Sequence, residues 1–166
     1  GIASVRYDKR SFAHGFKMLR DKNLAITVKE ETVDDAIMAA ALLRKDPRID
    51  PKKVFIIGHS MGGMLSPRID AEGGNFRGLI IMAGSPRKLE EIMLDQNEAV
   101  LRSTKGLVHW IVKKQVAKIS KLFEGLYEIS DDEARKKKMG GGTTLYYFKE
   151  MGEHAAPGYL AVCEKP

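Results

Sequence analysis

Three short apolar runs alternating with helix-like patterns predict an α/β protein built on a parallel sheet. Residues 1–8 are rich in small and β-branched side chains and end in charge; residues 54–57 lead straight into Gly58-His59-Ser60-Met61-Gly62; residues 78–84 are apolar or glycine throughout. Runs of this kind suit strands covered on both faces. The order strand, helix, strand, helix, strand implies right-handed crossovers.

At 166 residues the chain has room for one domain with a real core. Hydrophobic residues make up 43% and charged residues 30%, an ordinary globular balance. No apolar run approaches the roughly 20 residues that span a bilayer, so no transmembrane segment is expected. Residues 1–8 lack the basic start, long apolar middle and small-residue cleavage site of a signal peptide. The single cysteine, Cys163, excludes an internal disulfide and permits a reducing cytoplasm without requiring one. The formal charge of +6 is spread widely and comes with no nucleic-acid-binding motif, so nucleic acid is not an expected partner.

After the first run, residues 9–23 read as a loop, and loops at the carboxyl ends of parallel strands face the ligand crevice. Arg10 and His14 are its candidates, with solvated loop residues as the plainer reading. Thr32 and Asp35 have the spacing of a capping box, and Val33, Ile37, Ala40 and Leu43 then recur at helical spacing. Residues 46–51 hold two prolines and two aspartates, which end that helix.

Residues 60–69 predict a helix, with Gly62 and Gly63 letting it lie close to its strand. Pro67 removes a backbone hydrogen bond and predicts a kink or an early end. From Pro86 onward helices follow without strands between them. One spans Leu89 to Leu101, and a second runs from Leu107 to Tyr127 with Val108, Ile111, Val112, Val116 and Ile119 on an apolar face. Lys113, Lys114, Lys118 and Lys121 fall largely elsewhere on it. That basic face reads as a solvated surface, with docking on an anionic membrane as the alternative. Ser130 and Glu133 repeat the capping-box spacing, Gly140 to Gly142 signal a stop, and residues 143–148 fit either a strand or a helix.

Gly58-His59-Ser60-Met61-Gly62 after a strand places a serine at a sharp turn, where small residues two positions to either side relieve crowding and the hydroxyl stands clear of the sheet. Ser60 is the candidate nucleophile. A serine hydroxyl needs a base to take its proton and an acid to orient that base. The chain offers His14, His59, His109 and His154, and nothing in their spacing selects one. No metal or organic cofactor is called for.

On these residues the chain resembles a bacterial α/β-hydrolase of the esterase or dienelactone-hydrolase-like kind that carries a helical cap over its site. Residues 1–8 resemble the strand before the nucleophile, residues 46–53 the lead-in, Gly58 to Gly62 the elbow, and Leu79 to Ser85 the next strand. Many relatives carry Arg-Gly-x-Gly-x-Ser after the first of these strands, whereas here Arg10 is followed by Ser11-Phe12-Ala13-His14-Gly15. The resemblance implies a partial hydrolase sheet of about three strands in residues 1–85, a helical cap in residues 86–157, and a return toward a further core strand in residues 158–166. It also implies ester hydrolysis through an acyl-enzyme on Ser60, with one oxyanion donor at the Met61 amide and the other ahead of Gly1. Met93, Trp110, Phe123, Tyr127 and Tyr147 would line an apolar acyl pocket, or simply pack the cap onto the sheet. The triad acid and histidine would follow the strand beyond the cap, which makes the chain a truncated central portion. The implied substrate is a small acyl ester, and uncovered sheet edges imply association into a homodimer. The competing reading is a catalytically silent binding or association module.

Overall fold

The computed structural model describes residues 1–20, 26–140 and 142–166. Residues 1–8 are exposed and form no strand, so the sheet that carries Ser60 has two strands rather than three. Their composition suits a sheet, but a strand also needs a neighbour at ladder distance, and none is there among the described residues. Val5 and Tyr7 instead lie over Met38, Ala39 and Leu42. The expected loop over residues 9–23 begins with two helical turns, α1 (Arg10–Ala13) and α2 (Gly15–Arg20), and then enters residues outside the described set.

The next helix starts a turn earlier than Thr32. Thr27 Oγ1 accepts from the Glu30 amide at 3.1 Å, and Glu30 Oε2 accepts from the Thr27 amide at 3.3 Å. This reciprocal pair is a capping box. A π-helical turn (Lys29–Val33) then runs into α3 (Asp34–Lys45), leaving Thr32 buried inside the helix with its hydroxyl unpartnered. Asp35 is held by Arg10, whose Nη2 lies 2.7 Å from it.

β1 (Ile56–His59) is followed at once by α4 (Met61–Ile69), and β2 (Leu79–Met82) pairs with β1 in parallel, Ile56 opposite Leu79 and His59 opposite Met82. α4 does not stop at Pro67. It continues to Ile69 and widens into a π-helical turn (Asp70–Gly74) that closes with Gly73 at φ 127° and Asn75 at φ 47°. Every residue of α4 from Gly63 onward is buried, because α4 packs between the sheet and the last helices of the chain.

α5 (Leu89–Ser103) and α6 (Gly106–Phe123) form an antiparallel hairpin. α6 ends four residues short of Tyr127, where Gly125 takes φ 68°. Ser130 caps α7 (Asp131–Lys136), its hydroxyl accepting from the Glu133 amide at 3.2 Å. The expected glycine stop is a small antiparallel pair, β3 (Lys138–Gly140) with β4 (Thr143–Thr144). The ambiguous stretch 143–148 is therefore both: two strand residues, then α8 (Leu145–Glu153). α9 (Ala156–Leu160) follows and packs on α4. Beyond it the Pro166 carbonyl accepts from the Leu79 amide at 2.9 Å, along the edge of β2.

The core joins both halves of the chain. Val28, Val33, Leu65 and Ile69 from the first half are buried with Phe123, Leu145, Phe148 and Met151 from the second. Phe123 and Phe148 meet edge to face at 4.9 Å.

Candidate active site

Ser60 sits between β1 and α4 with φ 53° and ψ −117°, a left-handed backbone rarely taken by a residue with a side chain. Such a conformation costs about 1–3 kcal/mol and persists only where neighbours enforce it. Two of them do so here. The Ser60 amide donates to the Met82 carbonyl at 2.8 Å, and the Ser60 carbonyl accepts from the Met64 amide at 3.0 Å. The residue is thus fastened to the sheet on one side and to the helix on the other, and its side chain is exposed.

Glycine at 58 is obligatory for this turn. A Cβ there would collide with the Gly62 carbonyl and the Ser66 hydroxyl. Gly63 is nearly as tight, 3.1 Å from both the Gly58 carbonyl and the Gly84 Cα, so Gly63 brings the helix against the strand. Gly62, expected to share that role, has nothing within 4 Å of its Cβ position. The Met61 amide occupies the first position of α4, where a helix has no internal acceptor for it. It is free to donate to an oxyanion.

The four histidines lie apart from the Ser60 hydroxyl, to which no group among the described residues is hydrogen-bonded. His59 is exposed at the end of β1, and His14 is exposed between α1 and α2. His109 Nδ1 lies 3.1 Å from the Leu101 carbonyl, and His154 Nδ1 lies 2.5 Å from the Tyr159 hydroxyl.

The five apolar candidates separate. Tyr147 and Phe123 are buried and Met93 packs against the same core, whereas Tyr127 is 38% and Trp110 54% exposed. Tyr147 reaches the elbow: its hydroxyl donates to Glu31 Oε2 at 2.8 Å and lies 3.8 Å from Met61 Sδ. Burial, reinforced by the Glu31 charge, holds its phenol well above the ordinary tyrosine value. The Tyr127 phenol, which donates to Glu90, is raised for the same two reasons.

Sequence reasoning missed the ion cluster behind the elbow helix. Arg68, 2% exposed, donates from Nε to Glu72 at 2.6 Å and from Nη2 to Glu150 at 2.8 Å, while its Nη1 has no partner. Glu150 also accepts from the amides of Val28 and Lys29 at 2.8 and 3.2 Å. A lone arginine in the apolar stretch of α4 was the available signal. Among the described residues no group of three or more His, Cys, Asp or Glu is placed to hold a metal ion.

Residues 10–130 match the family profile described as the PGAP1-like alpha/beta domain, nearly three quarters of the chain and the whole of the elbow. The chain belongs to the PGAP1-like alpha/beta domain family. Its fold is accordingly α/β-hydrolase-like, with the small parallel sheet and many helices described above. The PGAP1-like chain is also 38% identical over 96 residues to Esterase EstD of Thermotoga maritima. That stretch is 58% of this chain and 21% of that protein, so the chain spans about a fifth of the length of the curated relative it matches. No solved structure matches it significantly.

Proposed function

We propose that Ser60 is the nucleophile of a carboxylic-ester hydrolase. The observation that carries this reading is the left-handed backbone at Ser60, held between strand and helix with the hydroxyl exposed. Strain stored at one residue and locked by two hydrogen bonds is the mark of a functional turn. The similarity to an esterase supports the substrate class, a small acyl ester.

In this mechanism Ser60 Oγ attacks the ester carbonyl as a base takes its proton, and the carbonyl oxygen becomes an oxyanion facing the Met61 amide. Collapse expels the alcohol and leaves an acyl-serine. Water then adds to the acyl carbon, the acid departs, and the proton returns to Oγ. The base is a histidine oriented by a carboxylate, and neither reaches Ser60 among the described residues. Acylation by this chain alone is therefore slow or absent.

Residues 86–157 serve in this reading as a helical cap on the core of residues 1–85, and residues 158–166 return toward it. Support comes from Pro166, whose carbonyl already meets the edge of β2. Of the apolar candidates, the proposal keeps Met93, Phe123 and Tyr147 as pocket wall, the three that pack in or against the core.

Intact-mass spectrometry after treatment with a fluorophosphonate tests the reading. One adduct on the chain, lost in Ser60→Ala, supports an activated Ser60. A folded sample that stays unlabelled, alone and with an added segment carrying the triad histidine and acid, overturns it.

A second reading, an association module, is favoured by one observation. Phe55, Ile57, Ile80 and Met82 are each about half exposed or more, leaving one face of the two-stranded sheet bare. Even-numbered groups of β1 turn to β2, so those of Phe55, Ile57 and His59 face an open edge. A homodimer formed there would appear in sedimentation velocity as a concentration-dependent species, and a monomer at high concentration would exclude it.

A further inference from the structure

The outer end of the α5–α6 hairpin carries apolar side chains that nothing covers. Val100, Leu107, Val108, Trp110 and Ile111 are 51%, 74%, 57%, 54% and 44% exposed, and the four on α6 fall within a turn and a half of one another. Singly exposed apolar residues are ordinary; a cluster at one tip is not. The inward stripe of α6 is a different set, centred on Ile119, Leu122 and Phe123, so the exposed residues are surplus to the core.

The charge around the tip is predominantly positive, with Glu98 of α5 the acidic residue nearest to it in sequence. α6 contains Lys113, Lys114, Lys118 and Lys121 and no acidic residue, and Lys105 precedes it. Lys114 Nζ lies 3.7 Å from the centre of the Trp110 ring, so the apolar end and the basic flank meet.

Two carbonyls at the turn are satisfied within the tip. Ser103 Oγ donates to the Val100 carbonyl at 2.7 Å, and Thr104 Oγ1 donates to the Leu101 carbonyl at 2.9 Å. The same Leu101 carbonyl meets the Thr104 amide at 3.2 Å and His109 Nδ1 at 3.1 Å. Carbonyls at a helix end normally rely on water, and these two lose less on entering a medium without water.

We propose that this hairpin tip docks on an anionic phospholipid surface, with Leu107, Val108, Trp110 and Ile111 entering the headgroup boundary and Lys105, Lys113 and Lys114 meeting the phosphates and carboxylates. An apolar end with tryptophan, flanked by lysines, suits a plane that is anionic outside and apolar within. Each lysine near such a surface adds attraction that salt screens. The docking is independent of any chemistry at Ser60.

Trp110 is the only tryptophan of the chain, so its fluorescence reports on the tip directly. The full 166-residue chain is titrated with vesicles of phosphatidylcholine and phosphatidylserine in a ratio of about seven to three, and with phosphatidylcholine alone. Expected are a blue shift of Trp110 emission and co-sedimentation with the anionic vesicles, weakened at least tenfold by raising salt or by Lys113→Glu with Lys114→Glu. Leu107→Ser with Ile111→Ser is expected to abolish the shift while leaving the urea midpoint unchanged, since neither side chain is in the core. Three outcomes overturn the proposal: no shift in a folded sample at low salt, equal binding to uncharged vesicles, or a blue shift that grows with protein concentration without lipid. The last would assign the tip to a second copy of the chain.

Discussion

Arg68 and Glu150 form an ion pair at 2.8 Å in which the side chains are 2% and 5% exposed, tying the helix behind Ser60 to α8. Removing one partner leaves a buried charge uncompensated, which costs about 3–5 kcal/mol. Glu150→Ala should therefore unfold at markedly lower urea, losing also the acceptor for the Val28 and Lys29 amides. Arg68→Met combined with Glu150→Leu should recover part of the loss, because two apolar side chains leave no orphan charge. Urea denaturation of both variants checks the sign of the coupling.

Gly58 and Gly62 should respond oppositely to alanine, although they flank Ser60 symmetrically in the sequence. A methyl at 58 has to displace the Gly62 carbonyl and the Ser66 hydroxyl, so Gly58→Ala is expected to cost at least about 3 kcal/mol or to prevent folding. A methyl at 62 meets open space in the first turn of a helix, and Gly62→Ala should be neutral or stabilising by up to about 1 kcal/mol. Thermal melts of the two proteins side by side decide it.

Ser60→Gly should raise stability by about 1 kcal/mol, since glycine takes φ 53° without the steric penalty. Ser60→Ala keeps the Cβ and should gain nothing. The difference between the two, read from urea midpoints, isolates the backbone strain from any effect of the hydroxyl.

Glu72 gives the fold a sensitivity to acid. Burial alone would raise its carboxyl, but the hydrogen bond and charge of Arg68, with Lys29 beyond, outweigh it and place the group below its ordinary value of 4.5. The unfolded chain then binds the proton first as pH falls, so the stabilisation is complete above the ordinary value and is lost as pH drops through the depressed one. Glu72→Gln should be less stable than the parent at neutral pH, with the gap closing as pH falls through the depressed value. Urea curves at neutral pH and across the acid range measure that convergence.

Legibility in the sequence followed the range of the interactions. The elbow was readable because strand, Gly58, Ser60 and helix lie within a dozen residues, and Ser130 with Glu133 likewise announced their own cap. Thr27 and Glu30 carried the same signal for α3, yet Thr32 and Asp35 offered it again five residues later, where Thr32 is buried inside the helix and Asp35 pairs with Arg10. Residues 1–8 had the composition of a strand, but pairing depends on a neighbour that composition does not supply. Tyr147 at Glu31 and Arg68 at Glu150 join residues 116 and 82 positions apart, and no local pattern records such meetings.

The same separation sets an order in time. β1 and β2 meet across about two dozen residues, with α4 between them, so that unit closes a short loop and forms early. At that moment the Arg68 guanidinium is still hydrated, and α8, far along the chain, has yet to arrive. Docking α8 should then strip water from both charges at once. The helix that supports Ser60 is therefore shaped before it is locked, and refolding should show a fast formation of the elbow unit ahead of a slower sealing by Glu150.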